Sequence, residues 1–541
     1  MEQAAQMVVV RASGHLFDHQ IQYPTWEADN QTLQVYLGDL GVGGVILLGG
    51  SAGEIGLRSQ QLQGWAKTPL LLAADIEEGV GQRFSGATWF PPPMALGAIA
   101  AENPSLALSY AEQMGAITAQ EAQAIGLNWV LAPVVDVNNN PANPVINIRA
   151  FGDKPDSVGK LAAAFIRGAQ RHAVLTTAKH FPGHGDTAVD SHLTLPTLTH
   201  RLERLAQIEF PPFQHAIAAG VDAVMSAHLQ VPALDFQHPA TLSHPTLTRI
   251  LRRQLGFQGL IVTDALVMGA ITQQYGPYEA AVLAVEAGAD ILLMPPDPEG
   301  AIRAVCEAVR VGRIPPERLQ ASLERIWRAK YKVASPTSAG PPSLHAWEHP
   351  PAAAIQLDRI AQPQSLTLAA NILKESTLSG GPLPLDADAP TGELRNLIVV
   401  DDSLNCRFLS AAAPAISLPQ RLGYSLQLID SCTPCPAASQ PPAQPTLLQL
   451  FIRGNPFRGG SGLTEAATQT LHTLIADDKL QALIIYGSPY ILQQLQPQIP
   501  DTLPYCFTYG QTPEAQAISL EVLFGRAMKE MGISGGRRFT D

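Results

Sequence analysis

The segment Lys179-His180-Phe-Pro-Gly-His184-Gly-Asp186-Thr-Ala-Val-Asp190-Ser-His192 gathers three histidines and two aspartates into fourteen residues. It starts at the end of an apolar run and is broken into a loop by Pro182, Gly183 and Gly185. A core segment does not collect ionisable groups in this way, and a merely solvated loop does not need so many beside a strand end. Asp190 and His192 stand two positions apart, so in an extended loop they lean to the same side. A carboxylate next to an imidazole fixes the ring's tautomer and raises its pKa from about 6.5, which keeps a proton available near neutral pH. A general acid that later serves as a base needs that property. The rival chemistry is a metal centre, for which His180, His184, Asp186, Asp190 and His192 are all competent ligands. Their spacing matches no standard metal motif and His-Glu-x-x-His is absent, so no metal is expected.

A second candidate is Asp264, which closes the run Gly259-Leu-Ile-Val-Thr-Asp264-Ala. At a strand end a carboxylate can attack an anomeric carbon and form a covalent intermediate. It can equally cap a following helix, and the residue alone leaves both readings open.

These side chains need a scaffold that brings strand ends together. Over residues 1–330, short apolar runs alternate with alanine-rich helical stretches. The strand candidates are 7–12, 44–49, 69–75, 128–135, 174–181, 222–228, 260–265 and 289–295. Continuous apolar strands between helices indicate a parallel sheet buried on both faces, and eight such units favour a closed (β/α)8 TIM-type barrel over an open sheet. Asp75, Lys179-His180, His228 and Asp264 each end a strand, so a barrel would gather them on its C-terminal rim. A helix over 315–332 closes this α/β region, giving a catalytic barrel over 1–333. Residues 334–354, rich in Pro, Ser, Gly and Ala, read as a linker. Residues 355–541 read as a smaller α/β (αβα) sandwich domain with strands at 397–401, 447–452 and 482–486 and no evident catalytic residues.

Together these segments resemble glycoside hydrolase family 3, in its β-N-acetylglucosaminidase branch and two-domain form. The residues that carry the match are Ala178-Lys-His-Phe-Pro-Gly-His-Gly-Asp-Thr with Asp190-Ser-His192, Ala132-Pro-Val-Val-Asp136-Val, and Arg149-Ala-Phe-Gly. Met225-Ser-Ala-His228, Pro239-Ala-Thr-Leu-Ser243 and Ile261-Val-Thr-Asp264-Ala add to it. The match is good over about 35–330, and the C-terminal region shares only weak local motifs. The resemblance implies a retaining hydrolase that cleaves terminal β-linked N-acetylglucosamine, plausibly from cell-wall muropeptides. Asp264 would be the nucleophile, His192 the general acid/base, and Asp190 the residue that orients it. Asp75, Arg83, Arg149, Lys179 and His180 would hold the sugar hydroxyls. A histidine acid leaves less negative charge near the leaving group, so phosphorolysis beside hydrolysis is an alternative, as are a β-glucosidase or β-xylosidase activity and a non-catalytic sugar-binding role. The sequence departs from the family where Asp75 is followed by Ile-Glu-Glu78-Gly-Val80-Gly-Gln-Arg83 in place of a Gly-Gly-Arg turn, and over residues 13–30.

The bulk properties agree with a carbohydrate partner and no cofactor. A formal net charge of −12 disfavours nucleic acid and anionic membrane surfaces. No apolar run reaches the roughly 18 residues of a transmembrane helix, and no basic residue precedes Arg11 as a secretory signal would require. Cys306, Cys406, Cys432, Cys435 and Cys506 are few and odd in number, which favours free thiols and a cytoplasmic location. The lone Cys432-x-x-Cys435 pair has no second pair to complete a zinc site. His172, His200, His215, His238 and His244 read as surface or packing residues.

Overall fold

All eight barrel runs fold as strands, in chain order and close to the anticipated positions. They are β1 (Val8–Ser13), β2 (Gly44–Leu48), β3 (Leu71–Ala74), β4 (Trp129–Val130), β5 (Leu175–Phe181), β6 (Ala223–Ser226), β7 (Leu260–Thr263) and β8 (Leu292–Leu293). The structure is a computed structural model that describes residues 1–17, 27–188, 195–334, 354–385, 393–400, 406–430, 444–453 and 465–525. Successive strands pair in parallel from β1 to β7, and β1 also pairs with β8. The ring closes between β7 and β8 through a parallel bridge from Val262 to Ile291. The Asp290 N–H donates to the Ile261 carbonyl at 2.7 Å and the Thr263 N–H to the Ile291 carbonyl at 3.0 Å. Strands β3 to β8 are buried along their whole length, as expected of a sheet with helices outside and packed side chains inside.

β4 is shorter than its apolar run because Pro133, with no N–H, cannot extend the ladder. The chain beyond it stays beside β5: Val134 bridges Lys179, and the Val135 N–H donates to the Lys179 carbonyl at 2.7 Å. The outer helices show their end signals in the sequence. Ser51 and Glu54 form a reciprocal capping box on Ala52–Trp65. Pro155–Ala169 starts on proline, with Asp156 in its first turn and Arg167 in its last. That helix lies close against Pro104–Ala124, where a Cβ on Gly115 would sit 2.0 Å from the Phe165 carbonyl oxygen. At the end of the barrel where the strands begin, Lys330 is buried, with its Nζ 2.6 Å from Gln6 Oε1 and 5.2 Å from the centre of the Trp327 ring. Burial pushes its ammonium down to about 7.

The chain divides into compact units at Ala369/Ala370. The stretch 354–369, which the sequence reading places partly in the second domain, therefore packs with the barrel. Ile355 sits over Gly56, where a Cβ would approach its Cγ2 to 2.8 Å. The Gln356 N–H donates to the Ala124 carbonyl, and the Ala361 N–H to the Glu121 carboxylate, both at 2.9 Å.

The second unit is a six-stranded sheet in the order β11-β10-β12-β13-β14-β9. Its strands are β9 (Leu378–Gly380), β10 (Leu394–Val400), β11 (Tyr424–Ile429), β12 (Thr446–Ile452), β13 (Leu480–Gly487) and β14 (Tyr505–Thr508). All pairs are parallel except β14 with β9. Ile398, Leu447, Ile484 and Tyr486 pack there with Ala415, Leu418 and Leu523 from its helices. The three central strands were foreseen. β9 and β11 were not, because they are half-exposed edges with weak apolar signals, and β14 is only four residues long.

Candidate active site

The rim where the strands end carries a chain of alternating charges. Lys179 in β5 is buried, and its ammonium lies 2.7 Å from Asp75 Oδ1 and 2.7 Å from Glu77 Oε1. Glu77 also receives the Arg149 guanidinium in a two-pronged contact, Nε to Oε2 at 2.9 Å and Nη2 to Oε1 at 2.8 Å. Asp75 immediately follows β3, and Arg149 ends the short turn Asn147–Arg149. The Arg83 Nε–H donates to the Asp75 backbone carbonyl at 2.9 Å, which fixes the departure of the chain from β3. Burial alone would raise the Glu77 pKa, but Arg149 and Lys179 hold it well below the usual carboxylate range. Burial likewise opposes the charge on Lys179, yet Asp75 and Glu77 raise its pKa. Glu77, Lys179 and Arg149 hold one another in the charged form.

A second cluster adjoins the first through the backbone of β5. Asp136 is fully buried. Its Oδ2 lies 2.7 Å from His180 Nδ1, and its Oδ1 accepts the His184 N–H at 2.7 Å. The His180 N–H is 3.2 Å from both oxygens. One carboxylate therefore holds both ends of the His180–His184 turn. Burial raises the Asp136 pKa, but His180 and His184 draw it below the ordinary value. Burial pushes the His184 ring down to about 4, against the pull of Asp136 and Asp264. Further along the loop, Asp186 is bound by His200 Nε2 at 2.8 Å and by Arg204 at 3.2 Å. His200 thus braces the site loop as well as packing near the surface.

Asp264 stands one residue beyond β7, partly exposed, and its Oδ1 accepts the N–H of Ala265 at 2.8 Å. His228, just past β6, places its Nε2 3.1 Å from the Ala265 carbonyl and its Nδ1 2.9 Å from Thr241 Oγ1. The structure thus brings Asp75, Lys179 and Arg149 into one network, ties Arg83 to Asp75, and sets His180 beside them. Asp264 acts electrostatically on His184 from the end of β7. Asp190 and His192 lie outside the described residues. Sequence reasoning assigned no role to Glu77 or Asp136. Glu77 had a usable signal, being two residues past Asp75 in a charged turn, and Asp136 stands in a quoted motif. Arg11, inside β1, pairs with Glu27 and feels both Asp75 and Arg83, but nothing in its apolar run singles it out. Among the described residues no group of three or more His, Cys, Asp or Glu is placed to hold a metal ion. No helix among them is long and apolar enough to cross a membrane.

A closed parallel barrel with this rim invites comparison at the level of the whole chain. Residues 1–329 match the glycosyl hydrolase family 3 N terminal domain, and residues 388–525 match the bacterial glycosyl hydrolase family 3 C-terminal domain. The chain belongs to glycoside hydrolase family 3. The match reaches to the N-terminus, beyond the 35–330 in which the motifs were legible, and takes in the second domain, where they were faint. Beta-hexosaminidase A of Pseudoalteromonas piscicida is 36% identical over 300 residues, which are 51% of this chain and 50% of that protein. A beta-N-acetylglucosaminidase/beta-glucosidase of Cellulomonas fimi is 30% identical over 316 residues, 57% of this chain and 55% of that one. The chain therefore spans about half the length of these two relatives. A solved family 3 beta-N-acetylglucosaminidase from Paenibacillus sp. str. FPU-7 is similar over 97% of both chains, with a TM-score of 0.76 and 30% identity. The resemblance to this branch of the family, and its two-domain barrel-and-sandwich fold, are borne out.

Proposed function

We propose that this family 3 chain is a retaining exo-β-N-acetylglucosaminidase, with muropeptide fragments in the cytoplasm as its substrates. The observation that carries the reading is the relay Asp75–Lys179–Glu77–Arg149, with Lys179 and Glu77 buried, on the same rim as Asp264. A polyhydroxylated ring needs fixed donors and acceptors, and this relay supplies both. In the proposed reaction Asp75, Arg83, Arg149, Lys179 and His180 hold the hydroxyls of the terminal sugar. The Asp264 carboxylate attacks the anomeric carbon while His192, oriented by Asp190, protonates the departing oxygen. His192 then deprotonates the water that releases the sugar. The names of the relatives support the N-acetyl preference. Cytoplasmic action is supported by Cys306 and Cys506, which are free thiols.

A panel of aryl β-glycosides on wild type, Asp264→Asn and His192→Ala tests this, with azide or phosphate added. We expect the N-acetylglucosaminide to be preferred and Asp264→Asn to lose at least about a thousandfold in kcat. We also expect azide to restore part of the His192→Ala turnover. A strong preference for the glucoside would replace the substrate, and sugar-1-phosphate formation would replace hydrolysis. Undiminished turnover in Asp264→Asn would remove the nucleophile.

A further inference from the structure

We propose that Asp136 is a positioning residue that holds His180 in the Nδ1–H tautomer, so that His180 Nε2 receives a hydroxyl proton from the sugar instead of donating one to it. The inference rests on the reading of His180 as a sugar contact. It starts from an imbalance of donors around one buried carboxylate. Two backbone N–H groups and one ring nitrogen converge on Asp136: the N–H of His184 at 2.7 Å, that of His180 at 3.2 Å, and His180 Nδ1 at 2.7 Å. An ionised carboxylate only accepts, and two facing lone pairs repel. A ring nitrogen 2.7 Å from Oδ2 must therefore carry the proton. In the neutral ring this leaves Nε2 as an acceptor.

The consequence for recognition is one of polarity. Lys179 and Arg149 can only donate, so each sugar hydroxyl they hold must still place its own proton on an acceptor. Asp75 already receives Lys179 at 2.7 Å, and Glu77 is filled by Lys179 and Arg149. With Glu77 occupied and one Asp75 oxygen engaged, an acceptor nitrogen on His180 adds to the acceptor that Asp75 still offers.

Asparagine at position 136 makes the idea measurable. To serve the two backbone N–H groups it must present its Oδ1 to them, which turns its Nδ2 donor toward His180 Nδ1. The ring then has to accept at Nδ1 and carry its proton on Nε2. The experiment is nitrogen NMR of the full chain labelled with [15N]histidine at pH 7, with the His180 signals identified by their loss in His180→Gln. Aryl β-N-acetylglucosaminide kinetics are run in parallel. Wild type should show a protonated Nδ1 and a bare Nε2, and Asp136→Asn the reverse. kcat/KM of that variant should fall about tenfold or more, mostly through KM, as expected for one inverted hydrogen bond in the bound state. A wild-type ring protonated on Nε2, or on both nitrogens, overturns the proposal even if Asp136→Asn does not fold. The tautomer switch with unchanged KM also overturns it, and in that case by showing that His180 does not touch the sugar. Absence of activity in the wild type would instead strike the functional reading.

Discussion

Two buried groups at the rim both disfavour a bound proton in the folded chain, and both tie folding to pH. The His184 pKa is about 4 in the folded chain against 6.5 for the free side chain, chiefly through burial. Between those values the unfolded chain binds the proton and the folded one does not. Its contribution is complete above about pH 6.5 and lost as pH falls toward 4, on the order of 3 kcal/mol. Glu77 acts lower down: with a depressed folded pKa it stabilises above the free carboxylate range, and that stability is lost as pH drops through the folded value. Thermal melts should show a Tm that declines from pH 6.5 downward in wild type, and a flatter course over pH 6.5–4 in His184→Gln. Glu77→Gln at neutral pH leaves buried Lys179 and half-buried Arg149 short of one charge. It should lower stability by about 3–5 kcal/mol and raise KM at least about tenfold, read by denaturant titration and initial rates. At this scale the sequence pointed to Asp75, Lys179, His180, His228 and Asp264 as polar strand ends that break an apolar pattern, and to Arg83 and Arg149 only through the family resemblance. It did not show Glu77 or Asp136 as partners. Their roles depend on which side chains meet across β3, β4 and β5, and spacing along the chain is silent on that.

Among elements, close backbone packing positions the charged groups. Helix Met94–Glu102 presses on the turn after Arg149, where a Cβ on Gly97 would lie 1.8 Å from the Phe151 carbonyl oxygen. Gly97→Ala must move that turn. The expected outcome is a loss of about 1–3 kcal/mol together with a KM defect, because Arg149 is carried along. A drop in Tm with an unchanged KM would show that the turn and the guanidinium move independently. The eight barrel strands were legible because parallel strands covered on both faces need unbroken apolar runs. Strand length was less so. Pro133 cut β4 to Trp129–Val130 through a missing donor, which is a hydrogen-bond effect and not one of hydropathy.

At the scale of the whole molecule, the barrel carries a liability at the end remote from the rim. Lys330 is buried, and its pKa is about 7 in the folded chain against 10.5 when free. Between those values the unfolded chain holds the proton and the folded chain does not. Stability should therefore rise as pH climbs from 7 to 10.5, by on the order of 5 kcal/mol. Lys330→Met should remove this rise while leaving the turnover of aryl glycosides intact, and melts at pH 7 and pH 10 check both. The division into two units was visible in composition, but its position was not. The proline- and serine-rich stretch marks where the chain leaves the barrel helix, and nothing in it reveals that the next residues return to the barrel surface.

That return sets an order of events during synthesis. Ile355, Gln356 and Ala361 fill places on helices Ala52–Trp65 and Pro104–Ala124, residues made more than two hundred positions earlier. A nascent chain emerging from the ribosome with only its first 333 residues has every barrel strand, yet Gly56 is uncovered and the Glu121 carboxylate lacks one of its donors. These places on the outer helices are filled only once residues beyond the linker have emerged, after every strand of the barrel has been made.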